Sequence, residues 1–116
     1  MSSLAKVHIP AAFEPALPPH ADPGFDTEGW LIGDDGVAVR RVWSRGLPVD
    51  GPWRSEAGDD VQVVADQFEC GKICSEGDGA VRVMIGDRVY GPAEAAALAA
   101  ALTAAVELAD GWVKGQ

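Results

Sequence analysis

Apolar and polar positions alternate with a period of two over several short runs in the middle of this chain, then change to a helical period near its end. Trp30-Leu31-Ile32 and Val37 to Trp43 flank Gly33-Asp34-Asp35-Gly36, and an Asp-Gly turn between β-prone runs predicts a hairpin. In the second run the apolar parity passes from Val37 and Val39 to Val42 across Arg40-Arg41, which predicts a bulge or an edge strand open on both sides. Val61, Val63 and Ala65 alternate within Asp60 to Phe68, Cys70-Gly71 can reverse the chain, and Lys72 to Ser75 begins a return that Gly77-Asp78-Gly79 interrupts. Ala80 to Ile85 sets Val81, Val83 and Ile85 on the inward face, and a Gly86-Asp87 turn leads into a short Arg88-Val89-Tyr90 strand. Four to five antiparallel strands follow from this pattern.

Gly91-Pro92-Ala93-Glu94 opens a helix, with proline at the first helical position and a carboxylate in the first turn. Its expected end is Asp110, with Gly111 as a left-handed cap. Leu98, Leu102, Ala105, Ala109 and Trp112 form one stripe, expected to cover the sheet. The side bearing Ala97, Ala100, Ala101, Ala104 and Leu108 is nearly uncharged as well and must face water or a second surface. Such a flat alanine face admits a close helix-to-helix approach with little loss of side-chain entropy, so a homodimer through it is expected.

Residues 1–28 hold five of the eight prolines, a density that denies both helix and ladder hydrogen bonding. This segment reads as an extended arm before a single domain at 29–116, with Val7, Ile9, Phe13, Leu17 and Phe25 as its apolar anchors. The expectation is that the arm contributes little to the core and docks at most on a sheet edge. Residues 44–58 read as a loop carrying Leu47, Val49 and Trp53. The fold class expected is therefore α+β, a small antiparallel sheet packed by one C-terminal helix, with a proline-rich N-terminal arm.

From Val61 to Asp110, the order strand, tight turn, strand, short turn and then a Pro-Ala-Glu-Ala helix start resembles a loose group of small actinobacterial and actinophage proteins without assigned activity. The resemblance implies a source and a β-then-α layout and transfers no site residue. A coding bias agrees with a high-GC source, since Asn is absent and Lys occurs three times.

At 116 residues with 47% hydrophobic and 23% charged residues, the chain is sized and composed as one soluble globule. A net charge of -9 repels phosphate backbones and anionic lipid, which disfavours direct nucleic-acid binding. The N-terminus lacks a signal-peptide core, and the apolar stretch Ala95 to Val106 is too short to span a bilayer, so a cytoplasmic location without membrane contact is expected.

Candidate chemistry is sparse. Cys70 and Cys74 form a C-x3-C pair, and a zinc site would have to recruit His8 and His20 from the arm, so two reduced thiols without metal are expected. Arg40, Arg41 and Arg45 around Trp43 could hold a phosphate or a single strand, but read rather as an ion-paired sheet edge with Asp34, Asp35, Asp59 and Asp60 as counter-charges. No calcium-loop order, nucleophile elbow, Walker loop or dinucleotide fingerprint is present. Neither a catalytic group nor a cofactor is implied. Among four Trp residues, Trp30 and Trp43 are expected in the core or on the sheet, and Trp53 and Trp112 semi-exposed. The reading is a non-enzymatic acidic interaction protein that binds itself or a host protein. Its candidate surface is Trp53, Trp112, Ala97, Ala100, Ala101, Ala104 and Leu108. The charge also allows an acidic nucleic-acid mimic that inhibits a DNA-binding protein.

Overall fold

The computed structural model describes residues 4–24, 29–47 and 61–115. The alternating runs build one antiparallel meander in which every strand pairs with its sequence neighbours. β1 (Ala5–Val7), β2 (Trp30–Ile32), β3 (Ala38–Trp43), β4 (Val61–Phe68), β5 (Arg82–Ile85) and β6 (Arg88–Tyr90) lie in that spatial order. A single helix, α1 (Pro92–Lys114), follows. The expected α+β class holds, with six strands rather than four to five.

The sixth strand comes from the segment read as an arm. Ala5, Lys6 and Val7 pair with Ile32, Leu31 and Trp30, making β1 the outer edge of the sheet. The predicted hairpins are present, with Gly36 and Gly86 at φ 76° and 60°, where a side chain would be strained. At the end of β4, Gly71 has φ 96°, and Ile73 bridges back to Gln67 as the interrupted return.

No bulge interrupts the pairing of β3 with β4, which runs from Val39 opposite Phe68 to Trp43 opposite Val64. The parity break at Arg40-Arg41 has another cause. Ala38, Arg40 and Val42 share one face, and opposite them stand Gln67 and Ala65, so a charged side chain occupies the middle of a largely buried row. Trp30 and Ile32 belong to the same face, as do Val63 and, across β4, Val83. Trp30, Ala38, Val42 and Ala65 are buried, and Gln67 is only 2% exposed.

Residues 14–22 cover this face through their backbone. Pro15 has no N–H, and its carbonyl accepts from Arg40 Nη2 at 2.7 Å, while the Ala16 carbonyl accepts from Gln67 Nε2 at 2.9 Å. Arg40 Nε donates in turn to Gln67 Oε1 at 2.8 Å, and Gln67 Nε2 also donates to the Gly71 carbonyl at 3.2 Å. Glu14 accepts from Trp30 Nε1 at 3.3 Å and lies 3.9 Å from Arg40 Nη1, whose guanidinium sits 4.8 Å from the Trp30 ring centroid. Farther along, the Asp22 N–H donates to the Trp43 carbonyl at 2.8 Å and Ala21 bridges Ser44. The proline segment is thus the second layer of the fold, held by side-chain donors reaching its carbonyls. Its expected apolar anchors contribute less: Val7 and Ile9 are half-buried, Phe13 is exposed, and Phe25 lies outside the described residues.

With the arm on the sheet, α1 is released from covering it. Glu94 accepts from the Gly91 N–H at 3.1 Å and Pro92 occupies the first turn, so the start is as predicted. The end is not. Gly111 lies within the helix, which runs to Lys114 with Gly115 at its end. None of its 23 residues is buried, and among the described residues it meets the sheet chiefly at β5 and β6. Of the stripe expected on the sheet, only Leu98 is half-buried, together with Ala95 on the first turns, while Leu102 and Trp112 are exposed. The expectation of a helix-packed sheet is corrected accordingly. Molecular dimensions of 64 × 25 × 24 Å and a radius of gyration of 18.4 Å reflect the projecting helix. A compact chain of this length would have a radius near 13 Å.

Replacing Arg40 with Met keeps the aliphatic stem but leaves Gln67 Oε1 and the Pro15 carbonyl without their donor. We expect a loss of about 2–3 kcal/mol, seen as a melting point lower by roughly 10 °C in a calorimetric scan. An unchanged melting point would show that the arm is held by something else.

Candidate interaction surfaces

Among the described residues two features remain without a partner, the helix and a groove on the sheet. Along α1 the polar residues Thr103, Glu107, Asp110 and Lys114 follow one another at i, i+4, i+7 and i+11, one narrow stripe. Apart from Pro92, Glu94 and Gly111, the rest of the circumference, well over half at about 100° per residue, is Ala, Leu, Val and Trp. Leu102, Val106, Leu108 and Val113 are all exposed, and Trp112 is 71% exposed. Alanine supplies ten of the 23 residues, so the helix has high intrinsic propensity and a length at which it can persist without packing. Thr103 turns its hydroxyl back to the Ala99 carbonyl at 3.0 Å.

The sequence-predicted surface is therefore open but divided differently. Ala97, Ala100, Ala101, Ala104 and Leu108 are exposed as expected, and Trp112 is more exposed than expected. Beyond Leu98 the leucine stripe is open as well, so both sides of the helix offer apolar surface. Trp53, like Val49, lies outside the described residues. By length and composition the helix could cross a membrane, in contrast to the 12-residue stretch weighed from the sequence, because it continues past Val106 and through Gly111.

The groove was not foreseen. Its floor is Val42, Val63 and Ala65 on the sheet, closed on one side by Ile73 and Val81 and on the other by Pro18, Pro19 and Ala21 of the arm. His20, Ser44, Arg45 and Leu47 form the rim, and the space is about 510 Å³, within the range of ligand-binding clefts. His20 has a φ of 64° in the turn that brings Ala21 to Ser44, a conformation that histidine tolerates better than most side chains. Residues from five separated stretches of the chain make this concavity. Only the short side chains at Ala65 and Ala21 hint at it in the sequence.

The charged residues singled out earlier separate into distinct roles. Arg40 belongs to the covered face, and Arg41 pairs with Asp66, its cross-strand neighbour, at 3.6 Å. Neither uses the expected Asp34 or Asp35: the Asp35 carboxylate accepts the Val37 N–H at 3.0 Å within the turn, and Asp59 and Asp60 lie outside the described residues. Arg45 on the groove rim is exposed and makes no ion pair among the described residues. Cys70 and Cys74 are free, Cys74 donating to the Glu76 carbonyl at 2.9 Å. No group of three or more His, Cys, Asp or Glu side chains that could hold a metal ion gathers among the described residues.

No family model, no curated protein and no solved structure matches the chain.

Because Cys70 is exposed and Cys74 makes one peripheral bond, exchanging both for Ser should leave the melting point within about 2 °C of wild type. Elemental analysis should find no zinc lost on that exchange. A stoichiometric metal present only in the unsubstituted protein would contradict this.

Proposed function

We propose that the chain is a non-enzymatic interaction protein, in which the arm-covered sheet is a carrier and α1 is the element that another protein covers. The observation that carries this reading is the helix of 23 residues with none buried and apolar side chains over most of its surface. Leaving Leu102, Val106, Leu108, Trp112 and Val113 in water has no benefit to the folded chain itself, whereas burying such side chains contributes about 1.5–3 kcal/mol each. The polar side chains on the sheet and in the segment over it also support the reading, because Arg40, Gln67 and Asp66 of the sheet and Glu14 above it are engaged in holding the fold.

A protein partner accounts for the helix better than a bilayer does. Glu107 and Asp110 stand with Lys114 on one stripe across its last turns, as on a helix half-covered by protein. An acidic side chain within a hydrocarbon core costs about 2.5–3.5 kcal/mol. An interfacial helix on anionic lipid would need a basic polar face, and this one has a single Lys within a chain of net charge -9.

The reading is tested with a photo-crosslinking side chain at Ala105 on the helix and, as a control, at Asp34 in the exposed hairpin turn. Discrete protein adducts, with itself or another protein, are expected from Ala105 alone. They should disappear on Leu102→Glu with Val106→Glu, a change that leaves the melting point within about 2 °C because neither residue is buried. Lipid adducts from Ala105, or no adducts at all, would overturn the proposal.

A further inference from the structure

Among the described residues the helix and the groove are both open and apolar, and one cross-strand row links them. Val63 in the groove floor pairs with Val83, and Val83 with Tyr90, the last residue before the turn into α1. The helix therefore rises from the strand row that ends in the groove. Its own tip cannot return there: Trp112 is 20 residues from Pro92, about 30 Å along a continuous helix that Glu94 caps at Gly91.

A second copy removes this obstacle. Two such helices laid antiparallel about a two-fold axis place each tip beside the other's base, and so beside the other's groove. We infer that the chain forms a symmetric dimer in which the tip of each helix, with Trp112 as its anchor, inserts into the partner's groove over Val42, Val63 and Ala65. This rests on the proposed role of α1 as an interaction element and names the occupant and its seat.

Shape and charge agree with that occupant. An indole is the largest apolar side chain the helix offers, and a half-open apolar cleft flanked by proline and valine is the setting in which tryptophan becomes the dominant contact of an interface. The charged side chain on the groove rim, Arg45, is cationic. The tip carries Glu107 and Asp110 on the stripe flanking its apolar arc, against one cation, Lys114. Among the described residues Arg45 has no ion pair of its own to surrender. Reciprocal insertion also doubles each contact by symmetry, with a continuous apolar seam between the two helices from Leu98 to Ala109.

The test uses the full chain in sedimentation equilibrium. Wild type should dimerise, and Trp112→Glu and Val63→Arg should each raise the dissociation constant by about tenfold or more. Mixed in equal amounts, these two variants should recover a heterodimer, because one intact tip still meets one intact groove. Independently of whether Val63→Arg folds, Trp112→Cys and Leu47→Cys chains, both carrying Ser at 70 and 74, should form a disulfide across the mixture under mild oxidation. Neither chain alone should reach that yield. Dimers that survive both single changes, or a mixture that neither recovers nor cross-links, would overturn the insertion while leaving the helix as an interaction element. A wild-type monomer whose Ala105 crosslinks only to other proteins would do the same. Loss of every Ala105 adduct would remove both proposals.

Discussion

One arginine in the middle of a covered sheet face governs this fold. Arg40 makes a hydrogen bond to Gln67, another to the Pro15 carbonyl, an ion pair with Glu14 and a face contact with Trp30, so its charge is solvated by the protein in place of water. A proline-rich segment cannot enter a central ladder, but it presents carbonyls that have lost no acceptor capacity. Side-chain donors on the sheet are what such a segment requires. Arg40 and Gln67 supply them, and the arm becomes a lid over Val42 and Ala65.

That choice of second layer determines the rest. Two-layer domains ordinarily lay a helix on the open face of an antiparallel sheet. Here the arm takes that place over the β2 to β4 half, and α1 leaves from the far edge with its first turns against β5 and β6 and its apolar arc unused. The arm also stops short of covering the sheet completely. Where residues 18–21 cross the end of β3, the groove over Val63 and Ala65 remains. The open helix and the open groove are thus two consequences of one substitution of layers.

Much of this was legible in the residues, and what was not has identifiable causes. The turns at Gly33 to Gly36 and at Gly86-Asp87, the strands around them and the Pro92–Glu94 helix start are local signals, and each appears where the pattern placed it. The row Ala38, Arg40, Val42 resembled a parity break because a solvated charge inside a face carries no hydrophobic signature. The arm looked detached because its attachment is made by backbone carbonyls, which every residue has. Gly111 resembled a terminus, yet the chain continues helically through it to Trp112 and Val113. Of the candidate surface, the alanine face and Trp112 were readable from composition. That the leucine stripe is free as well depends on what else covers the sheet, which helix periodicity alone does not encode.

If the arm rather than the helix completes the core, the chain should fold without α1. The most direct measurement is calorimetric unfolding of residues 1–91 beside the whole chain. A single cooperative transition within about 5 °C of the full-length value is expected, since the helix buries none of its own residues and only Ala95 and Leu98 of it are half-buried. A truncated chain with no cooperative transition would contradict the account, for it would show that the helix is part of the core.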